Sequence, residues 1–500
     1  MGVVARQSFK KSIVLVIGVL IATLSTLFIY PLNLSFYGNL QFIISAATLI
    51  APFATLGSTS LSVKFFPEFQ NGDPKARGFL GLIFLILAVC IVFFGVLSLF
   101  IQDVWMDLTK LLGWSLDIFT ANAFMIFGLV IVASYVSILK GYLTNFQRIV
   151  VPAILHELLI KVLLPSLILL SVYSLATDYI LKWTYVGVIG VAFILLCLYT
   201  YRLGFFHVDI DWSFVKRKRL RSMSEYSLYG ALGTLGAVIA FRIDTVMVAG
   251  FTDFEKTGIF SIVLYISNII LIPSQSLSPL LGAQISKHHE NGELQQIHEL
   301  YKKSSQSLLI IGAGLFLGLW FCLDDIFLLT ARANELSIGK MVFFYVGLAK
   351  VIDMFFGLNG HIISYGKYYR WNFIFILLMG VLTITTNLYF IPKIGFVGAA
   401  VATMISLIIF NFLKFLFVFK VYKMHPFTWA TCKTLVLIGS SFLIVGSLPR
   451  GSNPLVNIIL RSAVVIVVYA LPIYFFKVSE DINREVDNLV KKCRVLLFEG

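Results

Sequence analysis

Two stretches near the start of the chain decide the fold class: residues 13–32, IVLVIGVLIATLSTLFIYPL, and residues 78–100, GFLGLIFLILAVCIVFFGVLSLF. Neither contains a charged side chain, and each is long enough to cross a hydrocarbon layer of about 30 Å as a helix rising about 1.5 Å per residue. A backbone in lipid must satisfy its hydrogen bonds internally, and these runs do not alternate as barrel strands do. The sequence therefore predicts an all-α integral membrane protein.

The composition agrees with this class. Hydrophobic residues make up 59% of the 500 residues, charged residues only 13%, and the mean hydropathy is +0.92. A soluble domain carries about 25% charged residues, so a water-soluble globule is excluded. The net charge of +14 would indicate nucleic acid only if it lay on a soluble basic face. We therefore expect no nucleic-acid partner.

Hydropathy predicts about fourteen transmembrane helices, six before a polar segment and eight after it. They lie near residues 13–32, 40–62, 78–100, 120–139, 150–172, 179–201, 227–250, 258–281, 305–323, 340–361, 372–390, 395–419, 431–448 and 457–476. We divide the chain into a six-helix bundle with a basic linker at 1–226, a second, pseudo-symmetric six-helix bundle at 227–430, and two extra helices with a tail at 431–500.

The distribution of Lys and Arg predicts the orientation. With the N-terminus inside, the cytoplasmic segments hold about 27 basic residues and the outer loops about 6, so both termini are predicted to be cytoplasmic. The basic run at 216–221 lies in a cytoplasmic loop, where it fixes topology and contacts anionic headgroups. Residues 477–500 place apolar side chains at helical spacing and predict an amphipathic helix that caps the bundle, with a surface or partner role as the alternative.

An internal repeat is predicted by two segments that align without a gap at an offset of about 220 residues. Gly38 aligns with Gly258, and the turn at 71–73 aligns with the turn at 291–293. Because six spans separate the copies, the two halves are expected to relate by an axis along the membrane normal. Such halves leave a central seam, where alternating-access transporters bind their substrate.

Ionisable side chains inside the spans are informative because each costs about 2.5 to 3.5 kcal/mol to insert. In the fifth span, Glu157 and Lys161 stand one turn apart beside His156 and are predicted to neutralise each other. In the seventh span, Arg242 and Asp244 are two residues apart and point to different sides of the helix. Each of these two is expected to find its partner on another helix.

Four further charged positions lie in the second half. Lys350 and Asp353 share a face of the tenth span at i,i+3. Lys414 and Arg461 lie near span ends and are expected to reach the membrane interface.

Two interpretations of the intramembrane charges are open. They are either ion pairs that lock helices together, or groups that line a cavity, where basic residues contact an anionic substrate and acidic residues bind or titrate a coupling ion. On the second interpretation the substrate-binding residues are Arg242, Lys161 and Lys350, and the ion-coupling residues are Asp244, Glu157 and Asp353.

The sequence contains no recognisable catalytic or cofactor motif. The five cysteines form no CxxC pair, and the adjacent His288 and His289 have no third ligand at metal spacing. There is no P-loop, no Gly-x-Ser-x-Gly and no triad-like cluster. We expect no catalytic residue, no metal site and no cofactor, and the protein is not predicted to be an enzyme.

Several short motifs follow one another in a familiar order. They are YG at 37–38, LGSTSLSVKFFPE at 56–68, FRID at 241–244, TGIFSIV at 257–263 and IPKIGFVGAAVAT at 391–403. With fourteen spans and a repeat after six, this pattern resembles the Wzx-type bacterial polysaccharide flippases of the multidrug, oligosaccharidyl-lipid and polysaccharide exporter superfamily.

The resemblance implies a V-shaped bundle that moves an undecaprenyl diphosphate-linked oligosaccharide from the inner to the outer leaflet of the bacterial cytoplasmic (inner) membrane. That activity serves surface polysaccharide assembly, such as O-antigen and lipopolysaccharide. The implied partners are this lipid-linked oligosaccharide, membrane lipids, a coupling H⁺ or Na⁺ and polysaccharide-assembly proteins. By position, Asp244 matches the Ile-Asp motif of the family, and Glu157 and Lys161 match its charged fifth helix.

Three alternatives stay open. A lipid II flippase is one, although that branch carries arginines in its first spans and residues 13–32 contain none. An exporter of drugs or organic cations would have a net acidic cavity and about twelve spans. A membrane polymerase or ligase generally needs a sizeable outer loop, whereas the longest predicted outer loop has about 19 residues.

Overall fold

The structure is a computed structural model that describes residues 3–70, 76–100, 102–111 and 116–498. The described residues form helices joined by short connections, and no strand occurs among them. The predicted all-α class is therefore confirmed, and the protein is a multi-pass membrane protein.

Twenty-three α-helices account for most of the described chain. The first twelve are α1 (Val3–Leu24), α2 (Leu34–Thr55), α3 (Leu61–Lys64), α4 (Phe66–Gln70), α5 (Phe79–Phe100), α6 (Gln102–Leu111), α7 (Leu116–Asn145), α8 (Val150–Ala153), α9 (Leu159–Val172), α10 (Asp178–Arg202), α11 (Arg217–Phe251) and α12 (Phe254–Asn268). The others are α13 (Ile272–Glu290), α14 (Leu294–Leu328), α15 (Ala333–Ser337), α16 (Lys340–Phe356), α17 (Leu358–Tyr365), α18 (Arg370–Ile394), α19 (Phe396–Tyr422), α20 (Trp429–Gly446), α21 (Pro454–Val465), α22 (Leu471–Phe475) and α23 (Glu480–Phe498).

Eleven described helical segments are long and apolar enough to cross a membrane, or twelve if one bent pair is a single span. The difference from fourteen arises at three places. The first two predicted spans form one helical stretch, Ile13–Thr55, because π and 3₁₀ turns join α1 to α2 without a loop. The seventh lies in α11, some of whose side chains are outside the described ones. The tenth is the pair α16 and α17, which bends by 42°.

The basic segment at 216–221 is mostly helical, where the sequence predicted a loop. Helix α11 begins at Arg217, ten residues before the predicted span. The guanidinium of Arg219 lies 3.6 Å from the centre of the Phe214 ring and donates a hydrogen bond to the Phe214 carbonyl oxygen. Stacking of an arginine on an aromatic ring covers apolar surface and fixes the helix start.

The chain divides into two compact units. One contains Met1–Ser261 and Thr383–Phe396, and the other contains Ile262–Leu382 and Val397–Gly500. In the first unit α2 packs against both α11 and α7, and in the second α14 packs against both α16 and α21. Helix α18 contributes residues to both units.

The two glycines that the repeat aligned lie against each other in the first unit. A Cβ atom added at Gly38 would lie 1.8 Å from the carbonyl oxygen of Phe254 and 2.7 Å from the nitrogen of Gly258. A Cβ atom added at Gly258 would lie 2.3 Å from the carbonyl oxygen of Leu34. The backbones of α2 and α12 therefore touch, which only glycine permits. Contact between equivalent positions fits the predicted repeat, whose turn at 71–73 lies outside the described residues.

Substituting Gly38 with alanine is expected to destabilise the protein by about 1 to 3 kcal/mol or more, because the new methyl group would meet backbone atoms that cannot rotate away. The measurement is the melting temperature of the purified protein in detergent. Gly187→Ala is the matched control, since no atom lies within 4 Å of a Cβ added at Gly187. Equal melting temperatures for the two variants would contradict the backbone contact.

Candidate functional site

The carboxylate of Asp244 is buried in α11 and bound by an amide from another helix. The Nδ2 of Asn387, on α18, donates a hydrogen bond to Asp244 Oδ1 at 2.6 Å. The same nitrogen also donates to the carbonyl oxygen of Thr383 one turn earlier, at 2.8 Å. As the sequence predicts, the partner of Asp244 lies on a different helix, and α11 and α18 are joined inside the first unit.

Arg242 points to a different environment from Asp244. Its side chain is accessible, yet protein atoms surround it on most sides, and its guanidinium lies within electrostatic range of the Tyr37 and Tyr185 hydroxyls. Tyr37 in turn stacks on Tyr30, with ring centres 4.4 Å apart. A guanidinium within electrostatic range of two phenolic hydroxyl groups is part of a polar region that offers several hydrogen-bond donors to an anion.

The charged group of the fifth span differs from the prediction. Glu157 lies 3.6 Å from the ammonium of Lys140 on α7, and Lys140 also lies 3.1 Å from His156 Nδ1. The predicted Glu157–Lys161 pair is therefore wrong. Residues Ile154–Leu158 form a π turn, which rotates their side chains relative to the i,i+4 register of a regular helix.

Lys161 lies instead over the first helix. A Cβ atom added at Gly18 of α1 would lie 3.0 Å from both Cδ and Nζ of Lys161. The lysine side chain thus occupies the space that a glycine leaves open. Within the described part of the chain, no carboxylate lies within ion-pair distance of Lys161.

The second unit holds a further buried polar group around Asp353. Asn411 on α19 donates to Asp353 Oδ1 at 3.0 Å. Lys414, on the same face of α19, is 7% exposed, and its ammonium lies 4.1 Å from the centre of the Phe410 ring. The expectation that Lys414 reaches the interface is therefore wrong, because the ring and the nearby Asp353 compensate its charge inside the protein. Lys350 is buried as well, and its pairing with Asp353 stays a prediction.

This group lies at the bend between α16 and α17. The Nζ of Lys414 would lie 3.5 Å from a Cβ added at Gly360 of α17. His361, the next residue, is 2.8 Å from Ser278 Oγ of α13 through its Nε2 atom. The bend therefore brings polar side chains of α13, α17 and α19 together.

A third set of charged residues connects the ends of spans that the sequence predicts to lie on the outer side. Asp324 at the end of α14 binds both Lys340 and Arg450. Arg461 is 3% exposed and donates to the Leu448 carbonyl oxygen at 2.9 Å. The interpretation of Arg461 as an interface anchor is wrong, because its guanidinium binds backbone inside the unit. These contacts link α14 to α16 and to the connection between α20 and α21, and they tie α21 to the same connection.

Four side chains that take part in these polar groups were not predicted from the sequence: Lys140, Asn387, Asn411 and His361. Lys140 lies one residue beyond the predicted end of the fourth span. Asn387 and Asn411 were missed because the search considered ionisable groups alone. A buried amide in a span also needs a polar partner, so amides in apolar runs are the signal that would have found both.

Replacing Asn387 with leucine removes the amide donor from the buried Asp244 carboxylate and is expected to lower the unfolding free energy by about 1 to 3 kcal/mol. The double variant Asp244→Leu/Asn387→Leu removes both polar groups and should be less destabilised than Asn387→Leu alone. Denaturant unfolding in detergent measures both, with Asn334→Leu at an exposed amide as control. Strictly additive effects would contradict the coupling.

Comparison with known proteins gives limited similarity at the level of sequence. The chain matches no protein-family profile. It is 23% identical over 233 residues to a curated protein described as the probable low-salt glycan biosynthesis flippase Agl15 of Haloferax volcanii. That match covers 45% of this chain and 48% of the relative, so the chain spans about half the length of the curated relative it matches.

Similarity to solved structures is more extensive. The lipid II flippase MurJ in an inward closed conformation has a TM-score of 0.66 at 15% identity, over 94% of this chain and 98% of that one. A multidrug resistance MATE family transporter of the MOP superfamily, in an inward-facing conformation, has a TM-score of 0.64 at 11% identity, over 81% of this chain and 94% of that one. The chain therefore has the fold that MurJ shares with a MATE transporter of the MOP superfamily.

Proposed function

We propose that this protein is a flippase that moves a lipid-linked oligosaccharide across its membrane by alternating access, driven by a coupling ion. In its finer form the substrate is an undecaprenyl diphosphate-linked oligosaccharide that passes to the outer leaflet of a bacterial cytoplasmic membrane for surface polysaccharide assembly. The observation that carries the proposal is the placement of Arg242 and Lys161 in one unit, on the helices that carry the seventh and fifth predicted spans. Arg242 is accessible and within electrostatic range of Tyr37 and Tyr185, and Lys161 has no ion-pair partner among the described residues.

The chemistry of a diphosphate headgroup fits these side chains. A cation kept in a low-dielectric span is costly unless an anion offsets it, and a diphosphate supplies several negative oxygens. Arg242 can bind two phosphate oxygens side by side, whereas Lys161 acts as a mobile point charge. Lys350 is a further basic side chain, buried in the second unit.

The coupling ion is assigned to Asp244. Its carboxylate lies beside Asn387, whose Oδ1 atom is buried and accepts no hydrogen bond from the described residues. A carboxylate next to an amide oxygen supplies the hard ligands that Na⁺ prefers, and the carboxylate alone can carry H⁺. Glu157 and Asp353 are the further candidate positions, each held by a side chain of another helix.

An exporter of organic cations is less well supported. A cationic substrate needs an acidic binding surface, whereas basic side chains are buried or half-buried in spans of both units. The transport experiment therefore also tests whether an organic cation competes with the lipid-linked substrate.

The variants Arg242→Ala and Lys161→Ala are expected to slow flipping by about tenfold each, since each removes a charge-assisted contact worth about 1.5 to 3 kcal/mol. The assay uses proteoliposomes with a fluorescent undecaprenyl diphosphate-linked oligosaccharide and a membrane-impermeant quencher. The measured quantity is the fraction of fluorescence that the quencher removes, and its increase with time reports flipping.

Lys433→Ala is the matched control, because Lys433 is exposed in α20 and its loss changes the net charge equally. Arg242→Lys should keep part of the activity. Unchanged flipping in both alanine variants would exclude the proposed anion site. Inhibition of flipping by ethidium, together with ethidium transport, would favour the exporter.

Asp244→Asn is expected to abolish the response of flipping to an imposed pH or Na⁺ gradient, because a neutral amide neither binds a proton nor offsets a cation. The measurement compares flipping with and without each gradient in the same proteoliposomes. Asp107→Asn serves as control, since Asp107 is an exposed carboxylate of α6. A variant that still responds fully to both gradients would remove Asp244 from the coupling step.

A further inference from the structure

A cavity of about 470 Å³ lies where the last membrane-spanning segment ends and the tail helix α23 begins. Its walls come from Tyr474 and Lys477 at the end of the span and from Arg484, Asp487 and Lys491 of α23. The transport function proposed above uses none of these residues.

Specific hydrogen bonds build this cavity. The Tyr474 hydroxyl donates to Asp487 Oδ1 at 2.6 Å, and Asn483 Nδ2 donates to the Tyr474 carbonyl oxygen at 2.7 Å. Arg484, Asp487 and Lys491 follow one another at spacings of three and four residues, so they share one face of α23. The polar face of the tail is therefore fixed against the end of the span.

The charges on the walls favour an anion. Lys477, Arg484 and Lys491 are basic, while Glu480 and Asp487 are acidic, which leaves one excess positive charge on the lining. Asp487 already accepts a hydrogen bond from the Tyr474 hydroxyl, so part of its hydrogen-bonding capacity is used inside the protein. Three basic side chains around one opening are suited to a phosphate group.

The position of the cavity points to a membrane lipid as the source of that phosphate. The apolar span Pro454–Phe475 ends at the cavity wall, and the rings of Phe475 and Phe476 are 71% and 66% exposed. Aromatic side chains at a span end lie at headgroup level, where lipid phosphates are concentrated. An amphipathic helix that begins there has the geometry of a segment lying in the interface.

We propose that this cavity binds the phosphate headgroup of an acidic phospholipid in the leaflet next to the tail. The bound lipid holds α23 against the membrane surface through Arg484 and Lys491. The distribution of basic residues assigns this leaflet to the cytoplasmic side, whose anionic lipids attract basic segments.

The test is native mass spectrometry of the full chain in detergent with dioctanoyl phosphatidylglycerol. The variant Arg484→Gln/Lys491→Gln is expected to lose about fivefold in affinity for each removed charge. The control Lys420→Gln/Lys433→Gln removes the same number of charges from exposed positions outside the cavity and should bind as the parent does.

Dioctanoyl phosphatidylcholine and inorganic phosphate complete the experiment. Weak binding of both is expected, because phosphatidylcholine lacks net charge and free phosphate lacks the glycerol and chains that reach the aromatic rings. Equal binding of phosphatidylcholine, or equal loss in the control variant, would overturn the proposal, as would full displacement of the lipid by equimolar phosphate. The charge-preserving variant Arg484→Lys/Lys491→Arg should bind the lipid, which separates loss of the site from loss of folding.

Discussion

A charged side chain in a hydrocarbon layer must find its compensation inside the protein, and this constraint governs the arrangement of the helices. Asp244 is bound by Asn387, Asp353 by Asn411, and Glu157 by Lys140. In each case the partner belongs to a different helix. The polar residues therefore act as specific links between helices that apolar packing alone would leave free to slide.

The same constraint distinguishes charges that protein contacts compensate from the charge that we propose contacts substrate. Asp324 is bound by two basic residues and Arg461 by backbone carbonyl, so their charges are compensated by contacts that join span ends. Lys161 differs, since it lies over Gly18 of α1 without a carboxylate among the described residues. A cation held in this way lowers its free energy when an anion arrives, which is the physical basis for assigning it to substrate.

Hydropathy was sufficient to predict the class of the fold and the position of most spans, because both depend on local apolar content. The errors concern contacts and turn geometry that hydrophobic periodicity does not predict. The π turn at Ile154–Leu158 changed the register that paired Glu157 with Lys161. Lys414 stays inside because Asp353, on another helix, comes near it only after folding. The sequence pointed to Asp244 because it carries charge, but not to its hydrogen-bond partner Asn387, which is uncharged.

The position of Asn387 connects the proposed ion site to the long helix α18. Helix α18 is continuous from Arg370 to Ile394, yet Thr383–Phe396 belongs to the first unit and the residues before it to the second. Protonation of Asp244, or a cation bound beside it, weakens the charge-assisted bond to Asn387. If Asp244 binds the coupling ion as proposed, this change acts directly on α18, and its effect reaches along that helix without a chain of intermediate side chains.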